Sequence, residues 1–176
     1  MGPESIQIRD ARAADLATLQ AFAVRTWLTA FAYSFADDDE AQRHIESELS
    51  LPAFTHALEQ DTLLLALAEG TLLGYAQLGD PEFTALSPDP GDLQLRRLYV
   101  EPEQHARGLG SRLLDATVAR AQAAGAQSLW LEVWQHNQRA ARLYRRYGFE
   151  TVAARRYYDA QGQPLDFDYV MRARIR

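Results

Sequence analysis

Leu93–Ala124 reads LQLRRLYVEPEQHARGLGSRLLDATVARAQAA, and its periodicity changes along the way. Leu93, Leu95, (Arg97) and Tyr99 alternate with Gln94, Arg96, Leu98 and Val100, and aromatic or branched residues gather at the end, as in a strand. Pro102 stops that strand, because proline cannot donate to a sheet ladder. After Arg107-Gly108-Leu109-Gly110-Ser111 a helical pattern takes over, with Leu109, Leu113, Leu114, Val118 and Ala121 on one stripe and Gly125 ending it. A strand, a glycine turn and a helix in succession leave backbone N–H groups pointing out of a helix N-terminus. The glycines allow an anion to come close, and the helix dipole favours negative charge there. This is the pattern of a pyrophosphate cradle, although a merely tight connection would use similar residues.

The familiar nucleotide motifs do not fit. A dinucleotide fingerprint needs a third glycine where Leu113 stands, preceded here by Arg112. A P-loop needs lysine, and all 18 basic residues of this chain are arginine. The absence of lysine also excludes a Schiff base.

A second motif lies downstream. Leu131 to Phe149 reads L-x-V-x-x-x-N-x-x-A-x-x-L-Y-x-x-x-G-F, after V-x-P-x-x-x-x-R-G-L-G-S-x-L-L from Val100 to Leu114. The pair, in this order and spacing, resembles the GNAT (Gcn5-related) acetyltransferase superfamily. The resemblance implies a mixed α/β fold, a mostly antiparallel sheet of about seven strands with helices on both faces, and acetyl-CoA as cosubstrate. It implies pantetheine contacts from the backbone of Leu98 and Val100, and a pyrophosphate site over His105, Arg107, Gly108, Leu109, Gly110 and Ser111. His105 stands where the family carries arginine or glutamine, a departure that matters less where backbone groups do the binding. Asn137 and Tyr144 fall on the family's cofactor side as well.

By the same resemblance Glu132, in L-E-V, is the general base and Tyr144 the acid that protonates the coenzyme sulfur. An amine must lose a proton to attack, and a departing thiolate gains from receiving one. A phenol ordinarily stays protonated at neutral pH, which suits that second task. The bland readings are a salt-bridged strand glutamate and a core tyrosine. His136 is a second-choice base, and the four histidines show no metal-ligand spacing, so no metal is expected.

Around this centre the chain is one expected domain over residues 1–176. With 47% hydrophobic residues it can bury a core, and zero cysteines exclude disulfides and thiolate nucleophiles. A net charge of −6 argues against a general nucleic-acid binder. No apolar run is long enough for a membrane span and no leader is evident, so a cytoplasmic protein is expected. Ser5–Arg9 alternates as an edge strand, and Leu16, Leu19, Phe22 or Ala23, and Trp27 mark a helix to about Phe31. Thr62–Glu69 and Thr71–Leu78 form a hairpin turning at Glu69-Gly70, and Phe149–Tyr158 with Leu165–Met171 a closing one.

Phe31–Gln60 is the least regular part. Its acids suit a solvated helix start. Alternatively Trp27, Phe31, Tyr33, Asp37 and Asp38 form an acidic, aromatic-lined mouth for an amine, since carboxylates and aromatic faces both attract ammonium groups. Thr26–Phe31, this acidic segment, and Arg156-Tyr157-Tyr158 resemble the PaiA-type spermidine/spermine acetyltransferases. L-E-V-x-x-x-N with the same Arg-Tyr-Tyr tail also resembles the ribosomal-protein alanine acetyltransferases. The expected acceptor is therefore a primary amine, first a small cationic one such as a polyamine, with a peptide N-terminus as the alternative. A non-catalytic CoA-binding protein is the competing class. Because C-terminal strands in this superfamily often pair between copies, a homodimer is a further expectation.

Overall fold

The computed structural model describes residues 5–31, 38–82, 86–158 and 162–175. Strand β1 is Ile6–Asp10, followed by helices α1 (Leu16–Phe31), α2 (Asp38–Glu48) and α3 (Leu51–Gln60). Strands β2 (Thr62–Ala68), β3 (Thr71–Gly79) and β4 (Leu93–Val100) precede helix α4 (Leu109–Ala123). Strand β5 (Ser128–Trp134), helix α5 (Gln138–Arg146) and strands β6 (Glu150–Tyr158) and β7 (Pro164–Arg174) complete the chain. The fold is mixed α/β, with a seven-stranded sheet in the order β1-β2-β3-β4-β5-β7-β6. Pairs β1–β2, β5–β7 and β6–β7 are antiparallel, and β4–β5 is parallel. The chain forms two compact units, Met1–Gln77 with Arg97–Thr117, and Leu78–Arg96 with Val118–Arg176.

In the first unit the β2–β3 hairpin turns at the expected residues. Glu69 and Gly70 both take positive φ, 49° and 82°, as the tightest hairpin turns require. The segment whose acids suited a solvated helix start holds two helices. The second starts where the Ser50 side chain accepts the Ala53 amide at 3.3 Å, with Pro52 in the first turn, where its missing N–H costs nothing. The stripe of α1, Leu16, Leu19, Phe22, Ala23 and Trp27, packs with Leu49, Phe54 and Ala57, Leu63 and Leu65, and Leu72 and Tyr75. Tyr75 is the pivot of this core. Phe22 and Phe54 meet its ring edge-on at 6.0 and 6.1 Å, and Tyr99 stacks on it at 5.8 Å.

A polar chain runs beside that core. Arg97 on β4 donates to Gln77 at 2.6 Å and to Glu48 at 3.1 Å, and Gln77 donates to Asp61 at 2.6 Å. It ties the end of α2 and the residue after α3 to β3 and β4.

In the second unit β4 does not alternate as read from the sequence. Adjacent Gln94 and Leu95 are both buried, because this part of β4 is an interior strand of the sheet. Buried Asp92 sets its start. Its carboxylate accepts the Ser128 amide at 3.0 Å, the Trp130 indole N–H at 2.8 Å and the Asp89 amide at 3.3 Å. On one face of β5, Trp130 packs with Val170, Leu86 and Ala153, and the Arg172 guanidinium lies 5.3 Å over its ring.

Tyr75 is fully buried, and among the described residues its hydroxyl has no hydrogen-bond partner. An unsatisfied buried hydroxyl costs about 1–3 kcal/mol. Tyr75→Phe keeps the ring contacts and removes that cost, so thermal unfolding should show Tm raised by about 2–4 °C per kcal/mol recovered. A lowered Tm would mean that the hydroxyl is engaged.

Candidate active site

The glycine turn lies in the first unit. Strand β4 ends at Val100, and the Glu101 amide donates to the Leu73 carbonyl at 2.9 Å. A 3-10 turn over Pro102–Arg107 delivers the chain to Gly108, whose φ of 75° is left-handed. The Arg112 amide then donates to the Gly108 carbonyl at 3.1 Å, which opens the α4 ladder. The amides of Leu109, Gly110 and Ser111 precede that first bond, at the end where a helix presents N–H groups and positive potential. Two anchors hold this end. Leu109, Leu113 and Leu114 are fully buried, and the Arg112 guanidinium donates to the Ile6 carbonyl at 2.8 Å. His105 and Arg107 are exposed.

Gly74 was not singled out in the sequence, yet it controls the same region. A Cβ there would sit 2.8 Å from Val100 Cγ1, 2.9 Å from the Tyr99 carbonyl oxygen and 3.0 Å from Leu113 Cδ1. Only glycine lets β3 come this close to the end of β4 and the first turn of α4. A glycine in the interior of the strand Thr71–Gly79 was the available signal.

Glu132 and Tyr144 lie in the second unit. The β4–β5 ladder pairs Leu93–Leu95 with Leu129–Leu131, so Glu132 lies one residue past its last pair on β5. Glu132 opposes Val170 on β7, and Trp134 opposes Asp168. The Glu132 side chain is 20% exposed and its ion-pair partner Arg155 60%, with Nη1 at 3.4 and 3.5 Å from the two carboxylate oxygens. Burial raises the Glu132 pKa, Arg155 lowers it, and Asp168 raises it again. Asn137 caps α5 as expected, its side chain accepting the Ala140 amide at 3.1 Å. The buried residues of α5 are Ala141 and Tyr144. Tyr144 is 6% exposed, its ring 5.8 Å from Phe149. His136 points Nε2 at Asp166, 3.2 Å away.

The residues read as an acidic, aromatic mouth divide. Trp27 belongs to the α1 core stripe, 6% exposed and stacked on His44 at 4.4 Å, so little of its ring can meet a ligand. Half-buried Phe31 lies 6.0 Å from Trp27. Tyr33 and Asp37 lie outside the described residues, and Asp38 opens α2 with its side chain outside them. Among the described residues no group of histidine and carboxylate side chains is arranged to hold a metal, and no helix is long and apolar enough to cross a membrane.

Residues 22–149 match the model of the acetyltransferase (GNAT) family. The chain is 32% identical over 159 residues to an uncharacterised N-acetyltransferase of Mycobacterium tuberculosis, covering 89% of this chain and 96% of that one. It is 33% identical over 112 residues to the ribosomal protein bS18 alanine N-acetyltransferase of Haemophilus ducreyi, covering 57% and 77%. The crystal structure of the PaiA N-acetyltransferase of Thermoplasma acidophilum with coenzyme A superposes with a TM-score of 0.76 at 23% identity, over 97% and 99% of the two chains.

The two glycines should respond differently to substitution. Gly108→Ala meets no atom within 4 Å and pays only for the left-handed φ, about 1–2 kcal/mol, much of which Gly108→Asn should recover. Gly74→Ala overpacks Val100 and Leu113, at about 1–3 kcal/mol, and Gly74→Asn should be worse. Denaturant unfolding of the four variants distinguishes the two causes.

Proposed function

The chain belongs to the acetyltransferase (GNAT) family, and on that footing we propose that it moves the acetyl group of acetyl-CoA to a primary amine, with Glu132 as base and Tyr144 as acid. The observation that carries this reading is the half-buried Glu132 carboxylate, whose proton affinity burial raises. A base must be ionised yet hold a proton well once it takes one, and a raised carboxylate pKa serves that end.

The donor site fits the cofactor. The turn at Gly108, the amides of Leu109, Gly110 and Ser111, and the Arg112 anchor suit a pyrophosphate, with exposed His105 and Arg107 beside them. The backbone of Leu98 and Val100, at the end of β4, suits an extended pantetheine. Acetyl-CoA supplies the acetyl group as a thioester. A Glu132 oxygen accepts the acceptor's proton as the C–N bond forms, and the Tyr144 hydroxyl gives its proton to sulfur as the C–S bond breaks. Asn137, fixed as the α5 cap, holds the helix that carries Tyr144.

The acceptor we favour is a small cationic amine such as a polyamine. The net charge of −6 and the Glu132–Asp168 face support it, as does the shared fold with the PaiA enzyme. The second reading is a protein N-terminal alanine, supported by the likeness to the bS18 alanine enzyme.

A coenzyme-release assay with spermidine, spermine, aminoglycosides, amino acids and alanine-led peptides separates the two. Saturable turnover on polyamines supports the first, turnover on peptides alone supports the second, and coenzyme A binding without turnover on any amine returns the non-catalytic class. On the best acceptor, Tyr144→Phe should lower kcat by about 10²-fold while acetyl-CoA affinity is kept. Glu132→Gln should cut turnover to a similar degree, and unchanged turnover would remove either residue from its role.

A further inference from the structure

Glu132 stands on a sheet face that it shares with residues of two further strands. We propose that Asp168 and Arg155 are opposed positioning residues that set the protonation of Glu132, with Tyr157 holding Asp168 in place. The proposal rests on the reading of Glu132 as base, and it concerns residues that neither motif contains.

The strand registers bring the four side chains together. Trp134 opposes Asp168 and Glu132 opposes Val170, so the two carboxylates are diagonal neighbours on one face, roughly 7–8 Å apart at the backbone. Arg155 on β6 stands directly opposite Asp168. Its guanidinium reaches both Glu132 oxygens at 3.4 and 3.5 Å and lies 5.5 Å over the Tyr157 ring. These are long contacts, so Arg155 acts on Glu132 as a nearby charge rather than as a tight bidentate clamp. Asp168 is held more firmly, because the Tyr157 hydroxyl donates to its Oδ2 at 2.8 Å.

The charges pull in opposite directions. Beyond burial, Arg155 favours the ionised Glu132 and Asp168 the protonated one. Burial raises the Asp168 pKa as well, and its bond from Tyr157 and the charge of Arg155 both lower it. Other charged groups share this face: Arg172, the second diagonal neighbour of Glu132 on β7, lies with its guanidinium 5.3 Å over the Trp130 ring. Glu82 adds a smaller negative contribution and lies 3.5 Å from Arg96. Asp166, next along β7, is engaged by Trp134, Gln135 and His136. Without Arg155 the base would stay protonated to higher pH and reach its working form late. Without Asp168 it would ionise earlier but hold the acceptor's proton less well.

The test is a carboxyl carbon NMR titration of the full chain labelled at glutamate, with the Glu132 signal assigned by its loss in Glu132→Gln. Asp168→Asn should move the Glu132 midpoint to lower pH and Arg155→Met to higher pH, while Arg155→Lys, which keeps the charge, should stay nearer the wild type. Tyr157→Phe should act in the direction of Asp168→Asn by a smaller amount, and it serves if Asp168→Asn does not fold. A midpoint that no variant moves, or that Asp168→Asn and Arg155→Met move the same way, overturns the proposal. The acidic limb of the kcat/KM profile should follow the midpoint in each variant. If the midpoint moves as expected while the limb stays, the tuning stands and Glu132 loses its role as base.

Discussion

One buried carboxylate governs where the parallel strands meet. Asp92 stands just before β4 and accepts three N–H bonds, from the Ser128 amide and the Trp130 indole of β5 and from Asp89 in its own loop. A buried charge without donors is costly, so its bonds must form together with the burial. They place Leu93 beside Leu129, and every later position on β5 follows from that pairing. Glu132 therefore owes its place, one residue past the ladder, to an aspartate 40 positions earlier in the chain.

Both ends of the proposed chemistry depend on similar local constraints. At α4 the left-handed Gly108 turns the chain and the buried leucines fix the helix, so the leading amides have a defined direction. At α5 the Asn137 cap and the Tyr144–Phe149 packing do the same for the phenol. The leading amides sit at the start of a helix and the phenol on a buried helix stripe, where packing rather than loop geometry determines direction.

The sequence was most legible where local rules suffice. The Glu69-Gly70 turn, the Asn137 cap, the helix after Gly108 and the hairpin β6–β7 all come from residues adjacent in the chain. The family motifs added the positions of Glu132 and Tyr144. What stayed hidden depends on distant partners. No short-range rule says that Gly74 must admit Val100 and Leu113, or that Arg97 will join Gln77 and Glu48. The acids at the start of α2 were legible as a helix start, whereas the separate start of α3 at Ser50-Leu51-Pro52 was not singled out. Trp27 allowed two readings, since an aromatic in a helical stripe near acids suits a binding wall or a core, and its ring is 6% exposed.

The face that carries Glu132 also bears on the folding equilibrium. Burial raises the pKa of Glu132 and of Asp168 above the values an open chain would show. Such groups favour the folded state fully only below the ordinary carboxylate range, and that contribution fades as pH rises through their folded values. Above those values both carboxylates are charged and face the Arg155 guanidinium, and the fold has lost that contribution. That face therefore exchanges folding stability for the proton affinity of its two carboxylates.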